Sequence, residues 1–111
     1  MTETRKKVLV VDDDEMLRSL AADILSDEFE VRTAKDGQDG WEQAQAWRPD
    51  LVVTDLMMPR MHGYELCGLL KGRDGIPGVK IIVSSSKTFT TDVAQAKAAG
   101  ADDYLVKPYM P

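Results

Sequence analysis

Residues 7–14 read KVLVVDDD, an apolar and largely β-branched run that ends abruptly in three aspartates. The run is too short for an ordinary helix, and its apolar residues do not alternate with polar ones. A strand of this composition is buried on both faces, which is typical of a parallel sheet covered by helices. The stretch therefore predicts a central strand whose carboxyl end carries a group of acids.

Similar apolar runs recur along the chain, and helical patterns separate them. Helical spacing is clearest at Met16, Leu20 and Ile24, which would share one face of a helix. The predicted strands are residues 7–11, 30–34, 51–54, 80–83 and 104–106, and the predicted helices are 15–26, 38–47, 64–71 and 91–99. This alternation predicts an α/β fold, a doubly wound five-stranded parallel sheet of flavodoxin-like order 2-1-3-4-5.

Length and composition indicate one ordinary domain over residues 1–111. A doubly wound sheet of this size is expected to carry a fifth helix after its last strand, and none follows before Pro111. We therefore expect a domain that is truncated at its C-terminus and lacks this closing helix.

The charge and the apolar pattern exclude several classes of protein. A net charge of −5 argues against direct nucleic-acid binding by this domain. No apolar stretch is long enough for a signal peptide or a membrane span, so no membrane association is expected. The single cysteine, Cys67, cannot form an internal disulfide, which fits a reducing compartment. We expect a cytoplasmic protein.

Chemically active residues gather where the predicted strands end. Asp12 and Asp13 follow the first strand, Asp55 follows the third, Ser85 ends the fourth and Lys107 ends the fifth. In an open parallel sheet, ligands bind at the carboxyl ends of the strands, where the strand order reverses. For the order 2-1-3-4-5 that point lies between the first and third strands, so the carboxylates are expected to face each other.

Three carboxylates in one crevice repel one another, and a hard dication removes that cost. Mg²⁺ prefers a few carboxylates together with water. Phosphoryl transfer needs positioning and charge neutralisation more than covalent chemistry from the protein. With an ammonium from Lys107 and a hydroxyl from Ser85, these residues predict a site that forms an aspartyl phosphate.

Four segments resemble, in order, the signatures of the receiver domains of two-component response regulators, the family of the chemotaxis response regulators. They are VLVVDDD at 8–14, DLVVTDLMMPRMHGYEL at 50–66, IIVSSSK at 81–87 and GADDYLVKP at 100–108. The resemblance implies that Mg²⁺ is bound by Asp13, Asp55 and the backbone carbonyl of Met57, with Asp12 assisting. It also implies that Asp55 is the phosphoacceptor.

The same resemblance assigns a switch hydroxyl to Ser85, a switch aromatic ring to Tyr104 and a phosphoryl-contacting lysine to Lys107. With Asp55, Ser85 and Lys107 would form the catalytic set. This sequence departs from the commonest family pattern at three positions: Ser85 stands where threonine is more usual, Asp14 where glutamate is common, and His62 where aspartate or asparagine is common. None of these changes removes an essential group.

The implied function is a phosphorylation-dependent signalling switch rather than an enzyme with a separate substrate. A sensor histidine kinase or a phosphotransfer protein would phosphorylate it. The surface of the fourth helix and fifth strand would then change, to control an output domain or a partner protein, and phosphorylation could be linked to dimerisation. The domain would assist its own phosphorylation and slow dephosphorylation.

Two other functions remain open from the residues alone. An aspartate-nucleophile phosphatase needs a second acid two residues after the nucleophile, to act as general acid–base. This chain has Met57 at that position, which counts against turnover. A phosphorylation-independent interaction module would be expected to have lost Asp13, Asp55 or Lys107, and all are present.

Several residues also have purely structural interpretations. Asp14 is the aspartate most easily explained as a helix N-cap. Cys67 is expected to be a small buried apolar residue. Of Trp41 and Trp47, we expect one to pack in the core and the other to be half-exposed. His62 is expected to lie at a mobile surface position.

Overall fold

The computed structural model describes residues 5–55, 61, 63–85, 94 and 97–106, apart from the side chains of residues 85, 105 and 106. Its strands and helices alternate along the chain. They are β1 Lys7–Val11, α1 Glu15–Leu25, β2 Glu30–Ala34, α2 Gly37–Trp47, β3 Leu51–Asp55, α3 Gly63–Lys71, β4 Lys80–Ser85 and β5 Asp103–Val106. Most of the predicted fourth helix lies outside the described residues, although residues 94, 97 and 98 are helical.

The five strands form one sheet of order β2-β1-β3-β4-β5, and every neighbouring pair is parallel. This confirms the predicted fold class and strand order. Within the part of the chain that the structure describes, no helix is both long and apolar enough to cross a membrane.

Three of the five strands are longer than their apolar composition predicts, and one of them, β5, begins a single residue early at Asp103. Asp55 is the last residue of β3 rather than the residue after it, because the ladder continues and pairs Asp55 with Ser84. β4 likewise extends beyond Val83 to Ser85. The expectation that Asp55 follows its strand is therefore wrong by one residue, and the backbone of Asp55 is held by the sheet.

Both faces of the sheet are packed, as the continuous apolar runs predicted. Toward α2 and α3 the sheet presents Leu9, Val11, Val52, Ile81 and Val83, which meet Ala44, Trp47, Leu66, Cys67 and Leu70. Toward α1 it presents Val8, Val10 and Val53, which meet Ala21. Burying each large apolar side chain contributes roughly 1.5–3 kcal/mol to the free energy of folding. The two packed layers therefore stabilise the sheet, and with it the edge that carries the acids.

The lone cysteine and the two tryptophans occupy the environments that we expected. Cys67 is completely buried on α3. Burial raises the pKa of its thiol to about 11, so the thiol stays protonated at neutral pH. Trp47 is buried in the core and Trp41 is half-buried against it. All three residues are explained by packing.

An ion pair fastens the end of α3 to the start of β5. Lys71 Nζ lies 2.9 Å from Asp102 Oδ2 and donates a hydrogen bond of 2.7 Å to the carbonyl of Val79. Asp102 Oδ2 also accepts the amide of Ile81 at 2.8 Å. The hydrogen bond from Lys71 holds the pKa of the Asp102 carboxyl below its usual range. Asp102 in the GADDYLVKP segment therefore aligns β5 beside β4.

α2 ends at a strained residue. Arg48 adopts φ 55° and ψ 68°, and its amide donates to the carbonyl of Ala44. A left-handed conformation costs a residue with a Cβ about 1–2 kcal/mol, a cost that glycine avoids. We expect Arg48→Gly to raise the free energy of unfolding by about 0.5–1 kcal/mol in urea titrations. Arg48→Ala is the control, since it removes the side chain but keeps the strain, and an equal gain there would contradict the explanation.

Candidate functional site

The site lies at the carboxyl ends of β1 and β3, which are neighbours at the centre of the sheet. The register pairs Val11 of β1 with Thr54 of β3, so Asp12 and Asp55 come next at the same level. Both residues end apolar, buried segments. The parallel arrangement therefore brings together acids that are far apart in sequence.

Asp12, Asp13 and Asp55 form one acid group. Each offers a carboxylate oxygen, and these oxygens all lie within 4.8 Å of one another. Asp12 and Asp55 are only 2% and 8% exposed, whereas Asp13 is exposed. Two carboxylates at this distance repel by about 1 kcal/mol in water and by more where burial lowers the dielectric constant. The arrangement suits a hard cation with oxygen ligands, and it is compatible with Mg²⁺.

The turn after β1 fixes Asp12 through its backbone and its side chain. The amide of Asp12 donates to the carbonyl of Ala34 on β2 at 3.1 Å. Its Oδ1 accepts the amide of Asp14 at 2.9 Å. Because both contacts involve backbone groups, the Asp12 carboxylate is oriented before any ligand binds.

Asp14 directly precedes α1, and its side chain binds the first turn of that helix. Its Oδ1 accepts the amides of Met16 and Leu17 at 2.9 and 3.2 Å. This confirms the interpretation of Asp14 as the N-cap. Of the three consecutive aspartates, two therefore belong to the acid group and one to the helix.

Arg18 contributes to the site, although the sequence analysis gave it no role. Its Nη1 donates a hydrogen bond of 2.8 Å to the carbonyl of Asp12. This bond holds the peptide that joins Asp12 to Asp13, and it brings a positive charge close to the acids. The sequence did contain a signal for this role, since Arg18 is a basic residue one helical turn after the acidic N-cap Asp14.

The structure brings together three of the predicted site residues, and it also describes the side chain of Tyr104. Tyr104 is half-buried on β5, in register with Val83 of β4. Thr54 was not among the predicted residues; it is fully buried, and its hydroxyl donates to the carbonyl of Asp55 at 3.0 Å. The assignments to Met57, Lys107 and the side chain of Ser85 fall outside the described residues, as does the assignment to His62.

Residues 8–111 match a family model that is described as "Response regulator receiver domain". The chain belongs to this family. The family assignment made from the four motifs is thereby confirmed, and receiver domains are signalling domains of two-component systems.

Known proteins resemble this receiver domain over almost its whole length. The DNA-binding response regulator MtrA of Mycolicibacterium smegmatis is 38% identical over 112 residues, covering 100% of this chain and 48% of MtrA. Protein PilG of Pseudomonas aeruginosa is 36% identical over 104 residues, covering 93% of this chain and 77% of PilG. The receiver domain thus spans about half the length of MtrA.

The fold comparison agrees with the sequence comparison. The chemotaxis protein CheY4 of Vibrio cholerae superposes with a TM-score of 0.91 at 33% identity, covering 97% of this receiver domain and 91% of CheY4. This receiver domain therefore shares its flavodoxin-like arrangement with that chemotaxis protein.

Proposed function

We propose that this receiver domain is a phosphorylation-dependent switch in which Asp55 accepts a phosphoryl group from a sensor histidine kinase or a phosphotransfer protein. The observation that carries the proposal is the meeting of the carboxylates of Asp12, Asp13 and Asp55 at one sheet edge. Of the three, Asp55 occupies the position of the phosphoacceptor in the receiver family, and the β3 ladder holds its backbone. Its ionised carboxylate is a nucleophile that needs no separate base.

Mg²⁺ would be held by Asp13, Asp55 and the backbone carbonyl of Met57, with Asp12 assisting. The acids fit this role, since their oxygens are close together and Asp12 is already oriented by the amide of Asp14. When bound, the ion would neutralise charge between the acids and an incoming phosphoryl group.

The transfer itself exchanges one bond to phosphorus for another. A carboxylate oxygen of Asp55 bonds to phosphorus as the bond from phosphorus to the donor breaks, and the donor leaves with that electron pair. The Lys107 ammonium and the Ser85 hydroxyl would contact phosphoryl oxygens, completing the catalytic set. The domain thus assists its own phosphorylation.

Labelling by acetyl phosphate tests this proposal against the two other functions. A switch should form a stoichiometric, Mg²⁺-dependent phosphoprotein that mass spectrometry detects. A phosphatase would instead release phosphate continuously with multiple turnovers, and an interaction module would do neither. Either of the last two results would overturn the proposal.

Activation should couple Ser85 to Tyr104. A phosphoryl group on Asp55 gives the Ser85 hydroxyl an anionic partner, which draws that end of β4 inward and makes room for the Tyr104 ring. Such a local change biases a two-state element. NMR shifts on adding a phosphoryl mimic should therefore extend over residues 90–106, and Ser85→Ala should reduce these remote shifts. Shifts confined to the surroundings of Asp55 would contradict the coupling.

The phosphoryl group should be long-lived, because hydrolysis needs a water aligned behind phosphorus. In the geometry of the family, Met57 and Lys87 flank that approach, and neither side chain orients water as an acid or amide does. We expect Met57→Asn to shorten the phosphoprotein lifetime by up to about tenfold, below the ~10²–10⁴-fold of full general-base catalysis. The decay of isolated phosphoprotein measures this, with Met57→Leu as the control, and an unchanged lifetime in Met57→Asn would count against it.

The signal would pass to an output domain or a separate partner through the surface of the fourth helix and β5. The relative MtrA is by name a DNA-binding response regulator, and this chain matches about half of its length. The net charge of −5 supports an arrangement in which this domain does not itself contact nucleic acid. Phosphorylation-linked dimerisation and a cytoplasmic location complete the proposal.

A further inference from the structure

The side chain of Arg18 reaches back from α1 to the end of β1. Its Nη1 donates a hydrogen bond of 2.8 Å to the carbonyl of Asp12, six residues earlier in the chain. Arg18 is half-buried, and its own amide donates to the carbonyl of the N-cap Asp14 at 2.9 Å, so its backbone is fixed by the helix. A guanidinium carries its donors in a rigid planar fork, which holds an acceptor in a defined direction. The bond therefore ties the first turn of α1 to the peptide that joins Asp12 to Asp13.

Asp13 is the member of the acid group that depends most on this bond. Asp12 and Asp55 are buried, and the backbone of Asp55 belongs to the β3 ladder. Asp13 is exposed, so packing does not hold its side chain, and its position depends on the two peptides that flank it. The peptide after it is held because the amide of Asp14 donates to Asp12 Oδ1. The peptide before it is held by Arg18.

We propose that Arg18 is a positioning residue for the metal site, and that it acts by holding the Asp13 carboxylate beside the other two acids. This inference rests on the proposed function, in which Asp13 is a ligand of Mg²⁺. The carboxylate oxygens of Asp12, Asp13 and Asp55 lie within 4.8 Å of one another, and a rotation of the peptide before Asp13 would carry its side chain out of that range. Mg²⁺ demands near-ideal octahedral geometry, so it is sensitive to the displacement of a ligand.

The positive charge of Arg18 acts on a bound cation in the opposite direction. A guanidinium near the acids stabilises them when no metal is present, but it repels Mg²⁺. If charge were its only role, removing the side chain would therefore tighten Mg²⁺ binding, whereas the loss of positioning weakens it. At physiological ionic strength the Debye length is about 8 Å, so the repulsion between exposed charges is partly screened. The two explanations thus predict changes of opposite sign in the Mg²⁺ affinity, and we expect positioning to dominate.

Three variants separate positioning from charge. Arg18→Met keeps an unbranched side chain and a high helix propensity but removes both the donor and the charge. Arg18→Lys keeps the charge and a donor. Arg73→Met removes the same charge from an exposed residue in the turn before β4, at the amino ends of the strands, and is the control for net charge. For each, NMR measures the Mg²⁺ dissociation constant by titration at about 0.15 M salt, and the carbonyl shift of Asp12 and the amide shift of Asp13 without metal.

We expect Arg18→Met to change both metal-free shifts and to weaken Mg²⁺ binding about fivefold. This is below the ~10–100-fold contributed by partners that orient metal ligands, because the repulsion is relieved at the same time. Arg18→Lys should bind Mg²⁺ within about twofold of the unaltered protein, since its ammonium can donate to the same carbonyl, and Arg73→Met should bind it equally well. In an Asp13→Asn background, where the ligand is already lost, Arg18→Met should weaken binding less than about twofold.

Tighter Mg²⁺ binding by Arg18→Met would overturn the inference, because Arg18 would then act through its charge alone. An undiminished effect of Arg18→Met in the Asp13→Asn background would overturn it as well, as would unchanged metal-free shifts of Asp12 and Asp13. Arg18→Gln, whose side chain is shorter, replaces Arg18→Met if that variant does not fold. Failure of the unaltered protein to bind Mg²⁺ would sink the proposed function, while the metal-free shifts would still decide whether Arg18 holds the peptide before Asp13.

Discussion

Asp55→Asn should reduce labelling by acetyl phosphate from stoichiometric to undetectable, while the domain stays folded. The amide has nearly the shape of the carboxylate, but it lacks the anionic oxygen that attacks phosphorus. The fold should survive because the backbone of Asp55 is held by its pairing with Ser84 and by the Thr54 hydroxyl. Intact mass spectrometry with and without Mg²⁺ measures the loss, and circular dichroism checks the fold.

The matched control is the same substitution at the other end of β3. Asp50 precedes the strand, and its Oδ2 accepts the amide of Lys7 at 2.8 Å, a contact that an asparagine oxygen preserves. Asp50→Asn should therefore be labelled as fully as the unaltered protein. Full labelling of Asp55→Asn would show that the phosphoryl group goes elsewhere.

Asp13→Asn should make the metal-free domain more stable and make it respond less to Mg²⁺. Removing one charge from three carboxylates within 4.8 Å relieves repulsion worth about 1 kcal/mol. The same change removes a proposed ligand, and each tenfold loss of affinity lowers the stabilisation by excess Mg²⁺ by about 1.4 kcal/mol. Thermal melts across a Mg²⁺ titration should show a higher starting temperature and a smaller rise.

Asp14→Asn is the control for Asp13→Asn, because it removes one negative charge from the adjacent residue. Asp14 caps α1, and asparagine caps about as well as aspartate. The response of this variant to Mg²⁺ should stay close to that of the unaltered protein. Equal losses in both variants would mean that overall charge, rather than a ligand at Asp13, governs the binding.

The fold and the acid group were predictable because both depend on simple periodicities. Continuous apolar runs separated by helical patterns specify a parallel sheet, and parallel strands place their carboxyl ends at one edge. Asp12 and Asp55 could therefore be expected together without knowledge of side-chain geometry. The end of β3 was less predictable, since pairing with Ser84 extended the strand past its apolar residues.

The supporting contacts could not be predicted in the same way. The hydrogen bond from Arg18 to the carbonyl of Asp12 depends on how α1 sits over the end of β1. The close approach of Gly37, the first residue of α2, to Met61 also depends on packing, and no periodicity in the sequence relates these two residues. Such contacts follow from the packing of whole elements, which is known only once the elements are assembled.

The complete burial of Cys67 makes the domain convenient for spectroscopy. Its side chain lies between α3 and the sheet, and its raised pKa keeps the thiolate scarce at neutral pH. A maleimide dye should therefore react with a cysteine introduced at the surface and leave the native thiol untouched. Under mild denaturant, the slow modification of Cys67 would instead report how often α3 lifts from the sheet. The burial of this one cysteine thus permits site-specific labelling of the folded domain, and the rate at which Cys67 is modified measures local opening.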